Sequence, residues 1–273
     1  MRRLVLAAVT LAMAAAGPVH AQAVDPATVA APPPPVPTDH AAERYYDPAV
    51  MAAARRQLLM EHGGMTYSLV MGNIVEHDVG ASGGGYRWEG QASFGGDIDR
   101  FVIRSEGEGS DRGGVDRAEV QALWSRAVGP YFNLQAGVRQ DLRPHPSRTY
   151  ATVGFEGLAP YWVEVSGALF LSNRGEVLGR LEGYYDQRIT QRLILQPRAE
   201  LNFAAQDIRE TGMAAGLSDA ELALRLRYEF TRRFAPYLGV SYDRKFGTAG
   251  GFARQAGERA EDTRLVLGLR AWF

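Results

Sequence analysis

Residues 65–273 alternate between apolar and polar side chains in one segment after another, and this period of two limits the fold more than any other feature. The last segment, DTRLVLGLRAWF at 262–273, is the clearest example. Leu265 and Leu267 lie on one side of it and Arg264 lies on the other. Successive side chains of a β-strand point to opposite faces. The segment is therefore predicted to be a strand with one apolar face and one face that carries arginine.

Eleven similar segments precede it, and their spacing predicts how they are connected. The twelve predicted strands cover residues 65–77, 86–96, 99–107, 117–128, 131–142, 147–157, 160–171, 176–187, 192–205, 219–230, 236–246 and 262–273. Connections after even-numbered strands are short, whereas several after odd-numbered strands are long and polar, at 78–85, 108–116, 206–218 and 247–261. Outer-membrane barrels have an even number of strands, short periplasmic turns and longer external loops. The sequence thus predicts an all-β fold, a transmembrane antiparallel up-and-down β-barrel of about 12 strands with both chain ends in the periplasm.

A soluble β-sandwich would also explain alternating strands, because it packs its apolar faces together and leaves the charged faces in water. Two observations favour the barrel. The predicted strands reach about ten residues, the length that a tilted membrane strand needs. Aromatic residues at the strand ends suit the girdles at the membrane surfaces, namely Tyr131, Phe132, Tyr161, Trp162, Tyr184, Tyr185, Trp272 and Phe273.

The residues before the barrel divide into three predicted segments. Residues 1–21 have a charged start, an apolar stretch and a small-residue cleavage site, which together predict a signal peptide. Residues 22–47 form a linker rich in Pro and Ala. Asp47 and the proline after it are typical of a helix start, so 48–64 is predicted to be a short helical segment and a candidate plug of the barrel lumen. Residues 65–273 then form the barrel.

Composition excludes several functions. The chain has no Cys, so neither disulfides nor a cysteine nucleophile can form. The formal net charge of -1 provides no basic surface for nucleic acid. A barrel esterase would need Ser beside His, and the candidate pairs are His77 with Ser82 and His145 with Ser147. Neither pair has a nucleophile motif or an orienting partner, so we predict no catalytic residues and no enzyme activity.

Charged residues on the polar faces of the strands are predicted to point into the lumen. The predicted set is Arg87, Glu89, Arg100, Arg104, Glu106, Arg139, Asp141, Glu156, Glu164, Arg180, Glu182, Arg198, Glu200, Arg225, Arg227, Glu229, Asp243, Lys245 and Arg270. Buried charges must be paired. A network of ion pairs that fills a narrow barrel is therefore favoured over a selectivity filter.

Methionine and histidine are concentrated near the start of the predicted barrel. Most of those left after signal cleavage lie between residues 40 and 77, and the densest group is Met60, His62 and Met65. Thioether sulfur is a soft ligand that suits Cu(I), and imidazole suits copper as well. Methionine on a helix is more often packing. Spacing alone therefore leaves copper binding and ordinary packing open.

Several long blocks resemble the bacterial copper resistance protein B family. They are YRWEGQASFGGDIDRFVIRSEGE at 86–108 and the stretches at 39–65, 120–165, 189–202, 216–247 and 262–273. The resemblance implies an outer-membrane barrel of a copper resistance system that sequesters or exports copper beside a periplasmic multicopper oxidase. It also implies outer-membrane lipid and a copper ion as partners, with the N-terminal segment in the periplasm.

The resemblance also implies a set of copper ligands in matching blocks, namely His40, Met51, Met60, His62 and Met65. The chain departs from many family members before His40, where it is rich in Ala and Pro and lacks Met–His repeats. This departure argues against sequestration of many ions. Two other functions stay open at this point, a passive outer-membrane channel for small polar solutes and an outer-membrane esterase.

Overall fold

The structure is a computed structural model that describes residues 41–273 apart from 64, 81 and 82. The predicted signal peptide, most of the predicted linker and the predicted ligand His40 lie outside the described residues. The chain divides into two units, Met1–Leu58 and Leu59–Phe273, which are described separately. The segment boundaries predicted for residues 1–64, and the plug role of the helical segment, remain predictions.

The predicted helix is present and begins where the sequence indicates. It runs over Pro48–His62 (α1), after a short 3-10 turn at Ala41–Arg44. The Asp47 carboxylate caps the helix by accepting hydrogen bonds from the backbone N–H groups of Ala49 at 2.7 Å and Val50 at 3.2 Å. No residue of α1 is buried. None of the helices in the described part of the chain is long and apolar enough to cross a membrane.

Twelve strands form the rest of the described chain. They are β1 (Tyr67–Gly80), β2 (Gly83–Gly95), β3 (Asp99–Ser110), β4 (Gly114–Ala127), β5 (Phe132–Arg143), β6 (Arg148–Ala159), β7 (Val163–Ser172), β8 (Val177–Tyr184), β9 (Leu193–Ala204), β10 (Gly216–Tyr228), β11 (Phe234–Lys245) and β12 (Glu261–Trp272). A two-residue piece, Gln187–Arg188, continues the line of β8 and also pairs with β9.

Each strand pairs antiparallel with the next, and the last strand pairs with the first. At this seam the backbone N–H of Phe273 donates to the carbonyl of Val70 at 2.8 Å, and the N–H of Val70 donates to the carbonyl of Phe273 at 3.0 Å. The sheet is therefore a closed barrel without a free edge. The predicted fold, an antiparallel barrel of twelve strands, is confirmed.

The two faces of the barrel wall differ as the alternation predicts. The outward face is apolar, and its exposed side chains include Val79, Phe94, Ile103, Trp124, Leu134, Val153, Leu169, Leu181, Leu224, Leu238 and Leu267. Buried polar and charged side chains point inward. A closed barrel satisfies its backbone hydrogen bonds within the sheet, so this outward face is suited to hydrocarbon.

Two aromatic residues predicted for the outer girdle lie elsewhere. The Tyr184 hydroxyl donates a hydrogen bond to Glu164 inside the lumen. The Trp272 indole N–H donates to the carbonyl of Arg232 at 2.7 Å, and the Arg233 guanidinium lies over the Trp272 ring. Both residues have the same parity as the inward charges, which means that they lie an even number of residues from those charges along the strand and face the lumen. The prediction had assigned them by their position at a strand end. Exposed Tyr131, Phe132, Tyr161, Trp162 and Phe273 do lie at the end of the barrel that carries the chain terminus.

A β-bulge explains why the alternation of the first strand is blurred. The register of β1 shifts between Gly72 and Ile74 against β2, which places an extra residue at Asn73. Before the bulge Met71 faces the lumen, and after it Ile74 and Glu76 do so. A bulge reverses which parity is inward, and Glu76 was therefore absent from the predicted inward charges.

The predicted long connections at 78–85 and 108–116 are wrong. The pairing of β1 with β2 continues to Gly80 opposite Gly83, and that of β3 with β4 continues to Ser110 opposite Gly114. Glycines without side chains hid the alternation in these stretches. At Gly109 an aromatic ring occupies the space of the missing side chain, since a Cβ there would lie 2.6 Å from the Tyr86 ring.

Two connections remain long, and both lie at the end of the barrel opposite the chain terminus. They cover residues 205–215 and 246–260, and the second contains a helix that the sequence did not predict, Gly247–Gln255 (α2). Ala249 and Ala253 of α2 are buried. Small residues give little apolar periodicity, which is why the pattern did not indicate a helix there. We call this end of the barrel the loop end and the other end the terminus end.

Candidate functional site

The lumen holds ion pairs that join opposite walls of the barrel. Arg198 on β9 reaches Glu89 on β2, with 2.7 Å between Nη2 and Oε2. Arg87 on β2 reaches back to Glu200 on β9 at 3.3 Å and also pairs with Glu221 on β10. These strands lie on nearly opposite sides of a ring of twelve. The predicted network of paired charges is therefore confirmed, and it crosses the lumen.

Arg180 on β8 is the centre of a second group of ion pairs. Its Nη1 lies 2.6 Å from Oε2 of Glu106 on β3, and its Nη2 lies 3.1 Å from Oε2 of Glu119 on β4. Its Nε lies 3.6 Å from Oε1 of Glu200. Arg139 on β5 also contacts Glu119, at 2.7 Å. Because each guanidinium meets several carboxylates, the buried charges compensate one another.

The most buried ion pair joins β10 to β1. Arg225 and Glu76 form a two-pronged contact in which Nε and Nη2 each lie 3.0 Å from a carboxylate oxygen. The Tyr237 hydroxyl donates to the same carboxylate at 3.0 Å. The Arg225 side chain is 2% exposed and the Glu76 side chain is 4% exposed. This pair depends on the bulge at Asn73, because the bulge turns Glu76 inward.

Sequence reasoning missed several inward charges besides Glu76. They include Asp78, Glu119, Arg148, Asp186, Glu221 and Arg264. Glu119 shares its parity with buried Gln121, and Glu221 shares its parity with Arg225. The signal that could have found both was therefore the alternation itself. Asp186 lies in the gap between β8 and its two-residue continuation, yet it falls on the same side of the predicted strand 176–187 as Arg180 and Glu182.

Two cavities lined by a methionine remain in the lumen beside the ion pairs, and a third, at the terminus end, is lined mainly by arginines. The cavity at the loop end has a volume of about 150 Å³ and is lined by Tyr150, Met213 and the charges around Arg180. The cavity at the terminus end has a volume of about 330 Å³ and is lined by Met71 and a group of carboxylates. Two thioethers thus face the lumen, one in each of the first two cavities, although neither belongs to the predicted ligand set.

The two long connections meet at the loop end, and the first of them lines the loop-end cavity through Thr211 and Met213. Ile208 in the first packs in a buried apolar cluster with Tyr150, Phe170, Leu178 and Ala204. The Arg148 side chain on β6, which is 1% exposed, pairs with Glu210 of this connection at 3.4 Å and with Glu176 of the turn between β7 and β8 at 2.9 Å. The Arg209 guanidinium lies 5.5 Å from the centre of the Phe252 ring on α2. The two connections therefore contact each other at the loop end.

The predicted copper ligands that the structure describes lie on α1 and just after it. Met60 and His62 occupy the last turn of α1, and Met65 follows three residues later. Met60 is 83% exposed, Met65 is 66% exposed and His62 is exposed as well. Met51 is half-buried in the first turn of the helix. Across the described residues, no three His, Asp or Glu side chains are grouped as a metal site, so the ligand set stays a prediction.

The histidines of the two candidate Ser–His pairs are placed differently. Nε2 of His77 lies 3.2 Å from the carboxylate of Asp111, on the outside of the barrel near its loop end. Ser82, its predicted partner, lies outside the described residues. His145 and Ser147 are both exposed in the connection between β5 and β6.

The family model and the two relatives that match this sequence all point to one protein family. The family model described as Copper resistance protein B precursor (CopB) matches residues 66–273. Copper resistance protein B of Escherichia coli is 48% identical over 188 residues, which cover 69% of this chain and 63% of that protein. The match thus spans less than two-thirds of the length of the E. coli relative. The copper resistance protein B homolog of Pseudomonas syringae pv. tomato is 41% identical over 212 residues, which cover 78% of this chain and 72% of that protein.

The solved structures that resemble this chain include two porins. The NanC porin is 15% identical and covers 75% of this chain and 99% of its own, with a TM-score of 0.48. The KdgM porin is 12% identical and covers 75% of this chain and 98% of its own, with a TM-score of 0.45. The family model matches most of the chain, and the P. syringae relative is matched over more than two-thirds of its length. On those two findings, the chain belongs to the copper resistance protein B family.

Proposed function

We propose that this protein is an outer-membrane component of copper tolerance that binds copper at the periplasmic end of the barrel. The observation that carries the proposal is membership of the copper resistance protein B family, whose two matched relatives bear that name. Copper is the bound ion and cargo in this proposal, and no chemical reaction is assigned to the protein. A periplasmic multicopper oxidase is its proposed partner.

The architecture supports an outer-membrane location. The closed sheet and the apolar outward face are suited to lipid. The predicted signal peptide at 1–21 provides for export across the inner membrane. Barrels of this kind place their short turns in the periplasm and their longer loops outside. With the long connections 205–215 and 246–260 outside, the terminus end and the N-terminal segment face the periplasm.

The proposed copper donors are the side chains of His40, Met51, Met60, His62 and Met65. Exposure leaves Met60, His62 and Met65 able to turn toward one ion, and Gly63 next to them gives the backbone freedom to do so. Thioethers bind Cu(I) and imidazoles bind either oxidation state. Since no Met–His repeat precedes His40, the proposed role is to bind and pass on few ions and not to store many.

The two alternative functions have less support. A passive channel needs an open path, but ion pairs such as Arg198–Glu89 and Arg87–Glu200 cross the lumen. An esterase needs a histidine that activates a serine. Asp111 beside His77 would orient the ring, as a carboxylate does in a catalytic triad, but among the described residues His77 is bonded to this carboxylate and to no serine. The copper-binding proposal does not conflict with either contact.

Copper titration of the full mature barrel in detergent tests the proposal. The variant Met60→Leu/His62→Asn/Met65→Leu is expected to bind copper about tenfold or more weakly than the parent, a loss of about 1.4 kcal/mol or more. The reason is the removal of three donor side chains. Binding is measured by competition with a chelator, for Cu(I) under reducing conditions and for Cu(II) under oxidising conditions.

A matched control carries the same types of substitution outside the N-terminal group. Met213→Leu/His145→Asn removes one thioether and one imidazole from the loop end and should bind copper as the parent does. If the triple variant keeps the affinity of the parent, the N-terminal site is wrong. If both variants lose affinity equally, the copper site does not lie in the N-terminal segment alone.

A further inference from the structure

One cavity of the lumen has more arginines than carboxylates in its lining. It lies at the terminus end and has a volume of about 230 Å³. Besides Ala235 and Trp272, it is lined by six charged residues, which are Arg188, Arg227, Arg232, Arg270, Asp186 and Glu229. We call it the arginine cavity. Four positive charges face two negative charges there, so the lining has an excess of two positive charges.

Asp186 is shared between two of these arginines. Its Oδ2 atom accepts a hydrogen bond from Nη2 of Arg227 at 2.5 Å, and its Oδ1 atom accepts one from the Gln196 side chain at 2.7 Å. Nη1 of Arg270 lies 3.9 Å from the same Oδ2 atom, which is an ion-pair contact but too long for a hydrogen bond. One carboxylate therefore compensates two guanidinium groups and bonds to only one of them.

The other two arginines also have weak or no ion pairs. Nη1 of Arg188 lies 3.6 Å from Oε2 of Glu229 and donates to the carbonyl of Gln191 at 3.3 Å. The backbone carbonyl of Arg232 accepts the Trp272 indole bond, but the Arg232 guanidinium has no ion-pair partner among the residues that the structure describes. Each guanidinium has five N–H donors. Most donors around the cavity are therefore available to another acceptor.

The burial of Arg227 distinguishes this cavity from a group of surface arginines. Its side chain is 5% exposed, and its position is fixed because β10 pairs with both β9 and β11 at this residue. Nη2 of Arg270 lies 3.6 Å from the sulfur of Met71. A buried charge is costly unless it is paired. Because Asp186 is shared, this part of the wall keeps positive charge that a bound anion would compensate.

The carboxylates of the neighbouring cavity that Met71 lines are already occupied. An arginine pairs with each of four of them, and the fifth accepts a hydrogen bond from Tyr184. The four are Glu89, Glu106, Glu156 and Glu182, and the fifth is Glu164. Among the described residues, no ion pair joins these carboxylates to the arginines of the arginine cavity. The neighbouring cavity therefore does not supply the missing negative charge.

We infer that the arginine cavity binds a small oxyanion with two negative charges, of the phosphate or dicarboxylate class. Two charges match the excess of the lining, and the forked N–H groups of guanidinium match the paired oxygens of such ions. The cavity is smaller than the sites of drug-sized ligands, which begin at about 300 Å³. In the proposed orientation it faces the periplasm, and the anion enters from that side. The inference is independent of the proposed copper site.

Titration calorimetry of the full mature protein in detergent tests this inference, with inorganic phosphate as the probe. Metal ions are first removed with a chelator that is then dialysed away, so that phosphate cannot bind through a metal. The buffer is mildly alkaline, contains no other oxyanion and is low in salt, because salt screens the attraction. We expect phosphate and succinate to bind, and acetate, which has one charge, to bind about tenfold or more weakly.

Two variants remove one positive charge each from the lining. Arg270→Gln and Arg232→Gln are each expected to weaken phosphate binding about tenfold or more, because a charged hydrogen-bond donor is lost. Arg126→Gln is the matched control. Arg126 is exposed beside Trp124 on the outward face at the same end of the barrel, and it does not line the cavity. This control removes the same charge and should bind phosphate as the parent does.

Asp186→Asn is expected to act in the opposite direction. It removes the carboxylate that competes for Arg227 and Arg270, so phosphate should bind more tightly than to the parent. A misfolded variant would not gain affinity, and folding of each variant is checked by its heat-dependent mobility in detergent gels. The inference is overturned if the parent binds neither phosphate nor succinate, or if acetate binds as tightly as they do. It is also overturned if Arg270→Gln and Arg232→Gln bind phosphate as tightly as Arg126→Gln does.

Discussion

Replacing Arg225 by methionine is expected to lower the free energy of unfolding of the barrel by about 3–5 kcal/mol. The guanidinium of Arg225 neutralises the Glu76 carboxylate through two hydrogen bonds of 3.0 Å, and both side chains are almost fully buried. Methionine fills a similar space but leaves the carboxylate charged and without its partner. Unfolding by guanidinium in lipid vesicles, followed by tryptophan fluorescence, measures the effect.

The double variant Glu76→Gln/Arg225→Met separates loss of the ion pair from loss of packing. It removes both charges and retains a group that can accept a hydrogen bond from Tyr237. We expect it to recover most of the lost stability, because no buried charge then lacks a counter-ion. Equal destabilisation of the single and double variants would show that the shape of Arg225, and not its charge, stabilises this part of the lumen.

Introducing arginine on the outward face in the middle of a strand is expected to cost about 2–4 kcal/mol of stability in a bilayer. Leu224 on β10 is 47% exposed and lies between Leu222 and Tyr228 on the apolar outward face. Leu224→Arg places a charge where the proposed membrane location puts hydrocarbon. The free energy of unfolding in lipid vesicles is again the quantity to measure.

Thr263→Arg is the control for this experiment, since Thr263 is exposed near the loop end of β12. A charge close to the membrane surface should cost only about 0–1 kcal/mol. The difference between the two positions therefore reports the depth of the bilayer along the wall. If Leu224→Arg were as stable as Thr263→Arg, the outward face would not lie in hydrocarbon, and the membrane assignment would be wrong.

The fold could be predicted because a closed barrel in lipid has only two environments. Each strand residue faces either lipid or lumen, so the period of two persists through strands as different as β9 and β12. The prediction failed where residues do not follow this alternation between lipid and lumen. The bulge at Asn73 reverses parity, Gly107 and Gly109 carry no side chain to alternate, and α2 is built from small residues.

The lumen could be predicted only in part, for a related reason. Parity shows that Arg87 and Glu221 both point inward, but their pairing joins residues on strands far apart in the sequence. That pairing depends on barrel diameter, strand tilt and register, which no local pattern encodes. Residues at strand ends, such as Tyr184 and Trp272, were assigned by position and not by parity, and parity was the better guide.

The seam between β1 and β12 has a consequence for assembly. It joins the first strand to the last, and the terminal Phe273 takes part in its backbone hydrogen bonds. A chain that lacks β12 would present the backbone groups of β1 and β11 unpaired to lipid, at a cost of several kcal/mol for each group. Insertion of this barrel is therefore all-or-none, and a truncated chain is left with two open edges that can pair with other chains.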